Sequence, residues 1–506
     1  MSGSPSSAMN TWSAPTGGTW IAWLLIVAAG VLLALFFGAA VTVLPPLLIV
    51  AAGCLLMLLP VYVLRPAWLI VPAIAFAMYF PWQPVADVVT VLFLARAGVA
   101  LVRRWPELRA ALSDPLLRPL YVLAACAVVS FVTAVTVLEH GKSPVYQDGR
   151  VYVYWLWIIA FAAWAPRVRP ERWVARQLLM VATLVSALAV IQGALGIILV
   201  RTGNVSALES AGYYSEITRV QIPGFVFVTF GVFYCVAQMV STRNKAWLRW
   251  AYMALLGLFT LAVIYNFGRA IWFWSFLGAC ITALAMGWRA STRLLIWGGL
   301  LATAIGATIV WTYPRLAETI VERVVSVLDE GGTRTSYGWR EAENRAAREV
   351  LADSVLLGTG LGGEYRAPVV GLRSLVFENH TRYIHNGHLS VMLKLSVFGY
   401  LAYAALFVMM FLRARRARAD PALGPICAAI MAWLITFVGQ NITQPDIMSA
   451  AGLTLLAALF ATLVLMRLRG AESETDATPA SLEYRPGRLR NALAAVGARP
   501  RVAGGE

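Results

Sequence analysis

Apolar runs of about 20 residues, the length that crosses a bilayer, recur along most of the chain with only short polar turns between them. The first covers 20–43 and the last 447–466. Between them lie runs at 45–64, 67–82, 85–102, 117–138, 151–165, 177–200, 222–240, 249–266, 270–288, 294–312, 386–412 and 425–441. This pattern predicts an all-α, polytopic membrane protein with about 14 transmembrane helices. Composition excludes a water-soluble fold. Of 506 residues, 60% are hydrophobic and 13% charged, against about 25% charged in soluble domains. Pro45 and Pro46 force a tight hairpin between the first two runs, because neither can continue a helix.

The net charge of +16 raises the question of nucleic acid, and its distribution answers it. Basic residues gather in short clusters between apolar runs: Arg103 with Arg104, then 167–176, 243–249, 289–293, 413–418 and 467–469. These clusters occupy alternate loops, which is the positive-inside pattern of a membrane protein. It predicts a multi-pass membrane protein with cytoplasmic N- and C-termini, and no nucleic-acid partner. Residues 1–18 hold no Lys or Arg. They are expected to be a cytoplasmic tail with no cleavable signal peptide. The expected organisation is a membrane domain over 19–312, a periplasmic helical loop over 313–384, the rest of the membrane domain over 385–466, and a disordered cytoplasmic tail over 467–506. The five cysteines, Cys54, Cys126, Cys235, Cys280 and Cys427, all lie within apolar runs and read as small buried hydrophobes.

The loop has helical content of its own. Helices are expected over 314–330 and 336–353. Trp339, Ala342, Ala346 and Val350 are expected on one face of the second, with Glu341 paired to Arg345 one turn on. The glycines of 358–363 superficially suggest a phosphate loop. They follow a helix and not a strand, and no Gly-Lys-Ser/Thr succeeds them, so they are expected to form a helix cap and turn.

Ionisable residues at membrane boundaries are costly to bury and often functional. The four histidines, His140, His380, His385 and His388, all fall on the expected outer side. His380 and His388 are read as headgroup anchors and His385 as functional. His385 and His388 are three apart with Glu378 near, but no further ligands are suitably spaced for a catalytic zinc site, which needs three protein ligands. No metal or other cofactor is expected. Arg219 and Arg269 are outward-facing arginines outside the basic clusters. Together with a histidine they suggest an anion site, and the planar guanidinium fork suits diphosphate oxygens.

At these residues the sequence resembles the O-antigen ligase and O-antigen polymerase superfamily. Its ligases carry a histidine followed by Asn, Ser or Gln, then nine residues, a glycine, two residues, and Gly, Thr or Tyr. His385 and Asn386 match, Ser396 stands at the first glycine position, and Gly399 matches the last. The segment from Arg219 resembles the family's Arg-x-x-Gly segment with Gly224 displaced. Phe267, Gly268, Arg269 and Ala270 are similar to its Ser-Arg-Gly-Ala turn. Arg340 followed by Gly358, Gly360 and Gly362 is in family order. The resemblance spans roughly 180–440. It implies a metal-independent membrane glycosyltransferase that moves a glycan from undecaprenyl diphosphate to an acceptor hydroxyl at the periplasmic face. It implies His385 as base, Arg219 and Arg269 on the donor diphosphate, and Asn386, Arg340 and Arg382 in support. The implied partners are a lipid-linked glycan donor, a glycan or lipid acceptor, and membrane lipids.

The ligase reading leads, with an O-antigen or exopolysaccharide polymerase close behind and a protein O-oligosaccharyltransferase as a related possibility. A lipid-linked sugar transporter or flippase is the alternative of a different class. Transporters usually carry an internal repeat, and the spans before Ser113 and after Arg413 share no pattern.

Overall fold

The computed structural model describes residues 62, 65–80, 83–104, 109, 111–166, 168–196, 220, 222–241, 244–325, 336–366 and 381–476. The expected spans 20–43 and 45–64 lie outside these residues, apart from Tyr62. So do Arg219, Glu378, His380 and the tail beyond 476.

Every described element is helical. After a 3-10 turn at Pro66–Leu69 come α1 (Ile70–Tyr79), α2 (Gln83–Val102), α3 (Leu117–Thr136) and the short α4 (Lys142–Gly149). A 3-10 segment, Arg150–Leu156, leads into α5 (Trp157–Trp164), α6 (Pro170–Leu195), α7 (Phe225–Val240) and α8 (Ala246–Asn266). There follow α9 (Arg269–Met286), α10 (Trp288–Thr312), α11 (Pro314–Val325) and α12 (Ser336–Asp353). The last described elements are α13 (Gly387–Ala417), α14 (Gly424–Gln440), a 3-10 turn Asp446–Met448 and α15 (Ala450–Asp476). Among the described residues, eight helices are long and apolar enough to cross a membrane, and three shorter apolar helices cover Pro66–Tyr79, Phe225–Val240 and Gly424–Gln440. The chain is a multi-pass helical membrane protein. The expected span at 151–165 departs from a regular helix: its first half is 3-10, and Arg150 and Tyr154 both turn to Asp87 on α2.

Where a helix is apolar all round, it lies inside. α7, α14 and the first part of α15 form the centre, with 83% of the Ala450–Leu468 window buried. α10 is the opposite case, with 6% of its window buried and Trp288, Leu295 and Trp311 exposed. Aromatic rings seat on glycines where α9 meets its neighbours: Trp274 covers Gly439 of α14, and Phe233 of α7 covers Gly278. Any Cβ at either glycine would overlap the ring.

α13 is broken. Ser396 has φ 69° and ψ 176°, inside a helix that otherwise runs for 31 residues. Those angles fall in a region that is nearly glycine's alone. The break frees the carbonyls of Leu393 and Lys394, which a bilayer interior cannot leave unpaired. Thr359 N and Gly360 N donate to Leu393 O at 2.8 and 3.1 Å, and Ser130 Oγ donates to Lys394 O at 2.6 Å. Gly358 sits so close that a Cβ there would overlap the Leu393 carbonyl. The 358–363 segment is thus a cap and turn packed into the helix break.

At the opposite end of the bundle, Asp114 accepts two 2.7 Å bonds from Arg413 and lies 3.2 Å from Arg467. This buried carboxylate ties the ends of α13 and α15 to the start of α3.

Candidate functional site

The end of the bundle carrying α12 and the Gly-rich turn gathers most of the polar side chains that packing alone does not require. His385 immediately precedes α13, whose N-cap is Asn386. The Asn386 side chain accepts from the backbone N–H groups of His388 and Leu389, as an N-cap should. Gly387 N donates to Asn441 O at 2.7 Å, which fixes this helix start against the α14–α15 connection.

The partner of His385 comes from the loop. Glu343 on α12 is 1% exposed, and its Oε2 accepts from His385 Nδ1 at 2.8 Å and from His385 N at 3.3 Å. Donation from Nδ1 to a carboxylate selects the tautomer whose other ring nitrogen, Nε2, carries the lone pair. Arg366 Nη2 approaches the second Glu343 oxygen at 3.6 Å, an ion pair too long for a hydrogen bond. Arg366 also lies over the Tyr365 ring, 5.5 Å from its centroid. Tyr365 donates to Tyr383 O at 2.9 Å, and Tyr383 meets the imidazole of His385 edge-on at 5.2 Å. Arg340, one turn before Glu343, feels the same carboxylate. Burial lowers its guanidinium pKa, and Glu343 and Tyr383 oppose that shift. The Tyr383 hydroxyl is pushed up by burial, then by Asp446 and Glu343, with Arg340 opposing. The Tyr383 hydroxyl therefore feels two carboxylates, one from the loop and one from the α14–α15 connection.

Sequence reasoning placed the buried face of α12 in part: Ala346 and Val350 pack against the cluster around Ala347 and Leu351. The residues packed inward are Glu343, Ala347 and Leu351, whereas Ala342 is exposed. Apolar periodicity alone could not choose this face, because a charge sits in its middle. The expected pair of Glu341 with Arg345 is replaced by Glu341 with Arg348, at 2.6 Å. Glu343, Asp446 and the buried Lys394 were not singled out from the sequence. A lysine eight residues into an apolar run was the available signal for the last.

Lys394 is 3% exposed; its Nζ donates to Gly363 O and pairs with Asp148 Oδ2, both at 2.7 Å. Asp148 also accepts from Gly362 N at 2.7 Å. His140 Nδ1 donates to Leu361 O at 2.9 Å, and Leu361 N donates to Ser130 Oγ at 3.1 Å. These bonds hold the Gly-rich turn, and so the end of α12, against the broken helix that follows His385.

Of the remaining expected site residues, Arg382 reaches Gln147 Oε1 at 3.5 Å. Arg269 opens α9, after the turn of Phe267 and Gly268. Arg219 lies outside the described residues, but its neighbour Val220 is joined to that turn: Val220 N donates to Tyr265 O at 3.0 Å, and Asn266 Nδ2 donates to Val220 O at 3.1 Å. The segment following Arg219 and the turn leading to Arg269 are thus drawn together. His388 Nε2 donates to Val438 O at 2.9 Å, linking two helix ends. Among the described residues, no three of His, Cys, Asp and Glu are grouped for a metal ion.

No protein-family model matches the chain. No curated protein matches it. A chain from a solved structure, described as "Structural coordination of polymerization and crosslinking by a peptidoglycan synthase complex", has 17% identity to it and a TM-score of 0.38, over 69% of this chain and 97% of that one. A likeness of that size carries no argument about activity, so the reading of function rests on the site.

On the flank of this end, an apolar groove of about 550 Å³ lies between α2 and α3. Val91, Val128 and Phe131 line it, Asp87 and Arg150 edge it, and Leu361 of the Gly-rich turn touches it. Arg150 is 3.3 Å from Asp87, whose carboxylate also accepts from Tyr146 and Tyr154 at 2.7 and 3.0 Å.

Proposed function

We propose that this chain is a metal-independent glycosyltransferase of the O-antigen ligase and polymerase type, with ligase activity the leading form. It acts in the bacterial inner membrane, on the periplasmic side, and transfers a glycan from undecaprenyl diphosphate to an acceptor hydroxyl. The observation that carries the reading is the His385 imidazole held through Nδ1 by the buried Glu343 carboxylate.

The chemistry follows from that pair. The acceptor oxygen attacks the anomeric carbon, and its proton passes to Nε2 of His385. The bond from the anomeric carbon to the diphosphate oxygen breaks, and the lipid diphosphate leaves with the bonding electrons. Glu343 orients the ring and stabilises the imidazolium that forms, as a carboxylate does in a hydrolase triad. Arg219 and Arg269 hold the diphosphate and stabilise charge growing on the leaving oxygen. Arg340 and Arg382 add positive potential around them, and Asn386 fixes the helix start behind His385. The apolar groove between α2 and α3 accommodates hydrocarbon of the lipid carrier, each buried CH₂ adding about 0.8 kcal/mol. The chain anchors in membrane lipid, and no cofactor or nucleic acid takes part.

The test is transfer of a fluorescent oligosaccharide from its undecaprenyl-diphosphate carrier to glycolipid extracted from the host envelope, by the purified chain with EDTA present. Transfer by the wild type and its loss in His385→Ala support the reading. Full transfer by His385→Ala would leave the histidine as a helix-end anchor and would put a lipid-linked sugar transporter ahead.

A further inference from the structure

The groove between α2 and α3 is open to the bilayer and meets the Gly-rich turn at Leu361. Val88, Leu92, Val128 and Phe131 border it, and each is 48% exposed or more. On helices that cross a membrane, exposed apolar side chains of this kind face lipid. The polar edge of the groove, Asp87 with Arg150, lies near the start of α2. A hydrocarbon chain can therefore enter sideways from the membrane and leave its headgroup at Arg150.

Leu361 is the one large side chain in the segment 358–363. It packs on the wall of the groove: a Cβ on Gly149 would lie 3.5 Å from Leu361 Cδ1 and 4.0 Å from Phe131 Cδ2. Its backbone is tied on both sides. Leu361 N donates to Ser130 Oγ, which itself donates to Lys394 O, and Leu361 O accepts from His140 Nδ1. Gly360 N donates to Leu393 O, and Gly362 N to Asp148 Oδ2. Two residues after Gly363, Tyr365 packs with Ala347 and Leu351 of α12 and with Ile384, the neighbour of His385. Arg366 follows, with Nη2 3.6 Å from Glu343 Oε1. The turn is thus joined to the groove wall, to the helix that carries Glu343 and to the segment that carries His385.

We infer that Leu361 senses the hydrocarbon tail of the donor: the tail lying in the α2–α3 groove seats Leu361, and the Gly-rich turn passes that seating to Glu343 and His385. This rests on the transferase reading above. The occupant is the polyprenyl tail of the carrier. An apolar wall open to the bilayer takes hydrocarbon, and the arginine at its edge suits an anionic headgroup. Acyl chains of bilayer lipid share that chemistry, but the carrier tail is the hydrocarbon that arrives with the glycan. Binding energy from a remote, non-reacting part of a substrate raises kcat when it orders the reacting centre, so a truncated substrate loses kcat as well as affinity. A close-packed turn transmits such a seating because protein interiors are hard to compress.

The experiment uses the purified full chain in detergent. One fluorescent oligosaccharide is supplied on undecaprenyl diphosphate or on the shorter farnesyl diphosphate, with glycolipid extracted from the host envelope as acceptor. In the wild type, kcat is expected to fall about tenfold with the short tail, in addition to a rise in KM for the donor. In Leu361→Ala, kcat for the long-tailed donor is expected to drop to about the level of the short one, so that tail length moves KM alone. Leu361→Met, which keeps a long apolar side chain, restores the dependence of kcat on the tail. Val128→Trp fills the groove from an exposed position and is expected to remove the advantage of the long tail. It guards against a folding defect in Leu361→Ala, with thermal melting as the check. Equal kcat for the two tails in the wild type would overturn the proposal and leave the groove to acyl chains of bilayer lipid. So would an undiminished dependence of kcat on the tail in well-folded Leu361→Ala. Full transfer by His385→Ala overturns the base reading instead, and tail dependence measured in that variant keeps the two failures distinguishable.

Discussion

Glu343 is buried on a loop helix, and its carboxylate meets His385 and Arg366. In the transferase assay, Glu343→Gln keeps the shape but removes the charge that stabilises an imidazolium. Its kcat is expected to fall about ten- to a hundredfold with KM for the donor little changed. A purely structural role would instead lower the melting temperature and leave kcat of the folded fraction in place. His385→Ala is expected to lose roughly 10²–10⁴-fold in rate, while His388→Ala, whose ring bonds the Val438 carbonyl, should lower thermal stability more than rate. Asp446 makes a separate prediction about pH and stability. Burial pushes its folded carboxyl up to about 7, from the 3.8 ordinary for an aspartate. The folded state therefore holds a proton that the unfolded state has released between those values, and stability falls as pH rises through that window. Melting curves of the wild type and Asp446→Asn should diverge in that direction between about pH 4 and pH 7, with a constant offset above it. The groups that face this carboxyl, Gln440, Gln444 and Tyr383, include no cation to reverse the sign.

At the level of the element, α13 and α12 show what periodicity conveys and what it omits. The apolar run at 386–412 made α13 predictable as a span, and the ligase motif that the sequence resembles has a glycine where Ser396 stands. The structure supplies the physical reason: the backbone there has φ 69° and ψ 176°. Ser396→Gly is expected to raise stability by about 1 kcal/mol by relieving strain that typically costs 1–3 kcal/mol, seen as a higher melting temperature in detergent. Gly358→Ala should do the reverse, since the added methyl meets the Leu393 carbonyl that the turn must satisfy. A melting temperature equal to the wild type's in Gly358→Ala would show that the turn is not seated in the break. For α12 the helix was evident in the sequence and its inward face only in part, through Ala346 and Val350. A rule that buries apolar residues passes over a glutamate whose burial is offset by a histidine and an arginine brought from elsewhere in the chain.

For the whole molecule, the orientation proposed above has a direct test. Alkaline phosphatase fused after Gly331 is expected to be active, and fused after Arg416 inactive; activity only in the second fusion would remove the periplasmic site and its mechanism together. The amino-acid sequence by itself determined that this chain is a helical membrane protein and where most of its described helices lie. Those features depend on apolar length and on local backbone preference, which neighbouring residues settle. Four histidines fall on the expected outer side, and it was the resemblance of His385 with Asn386 to the ligase motif that set His385 apart. The tertiary structure decided which groups meet it. Glu343 lies 42 positions from His385, and Asp148 lies far from Lys394 in the chain. Whether a buried charge finds its partner depends on how helices distant in sequence pack, and hydrophobic periodicity carries no record of that pairing.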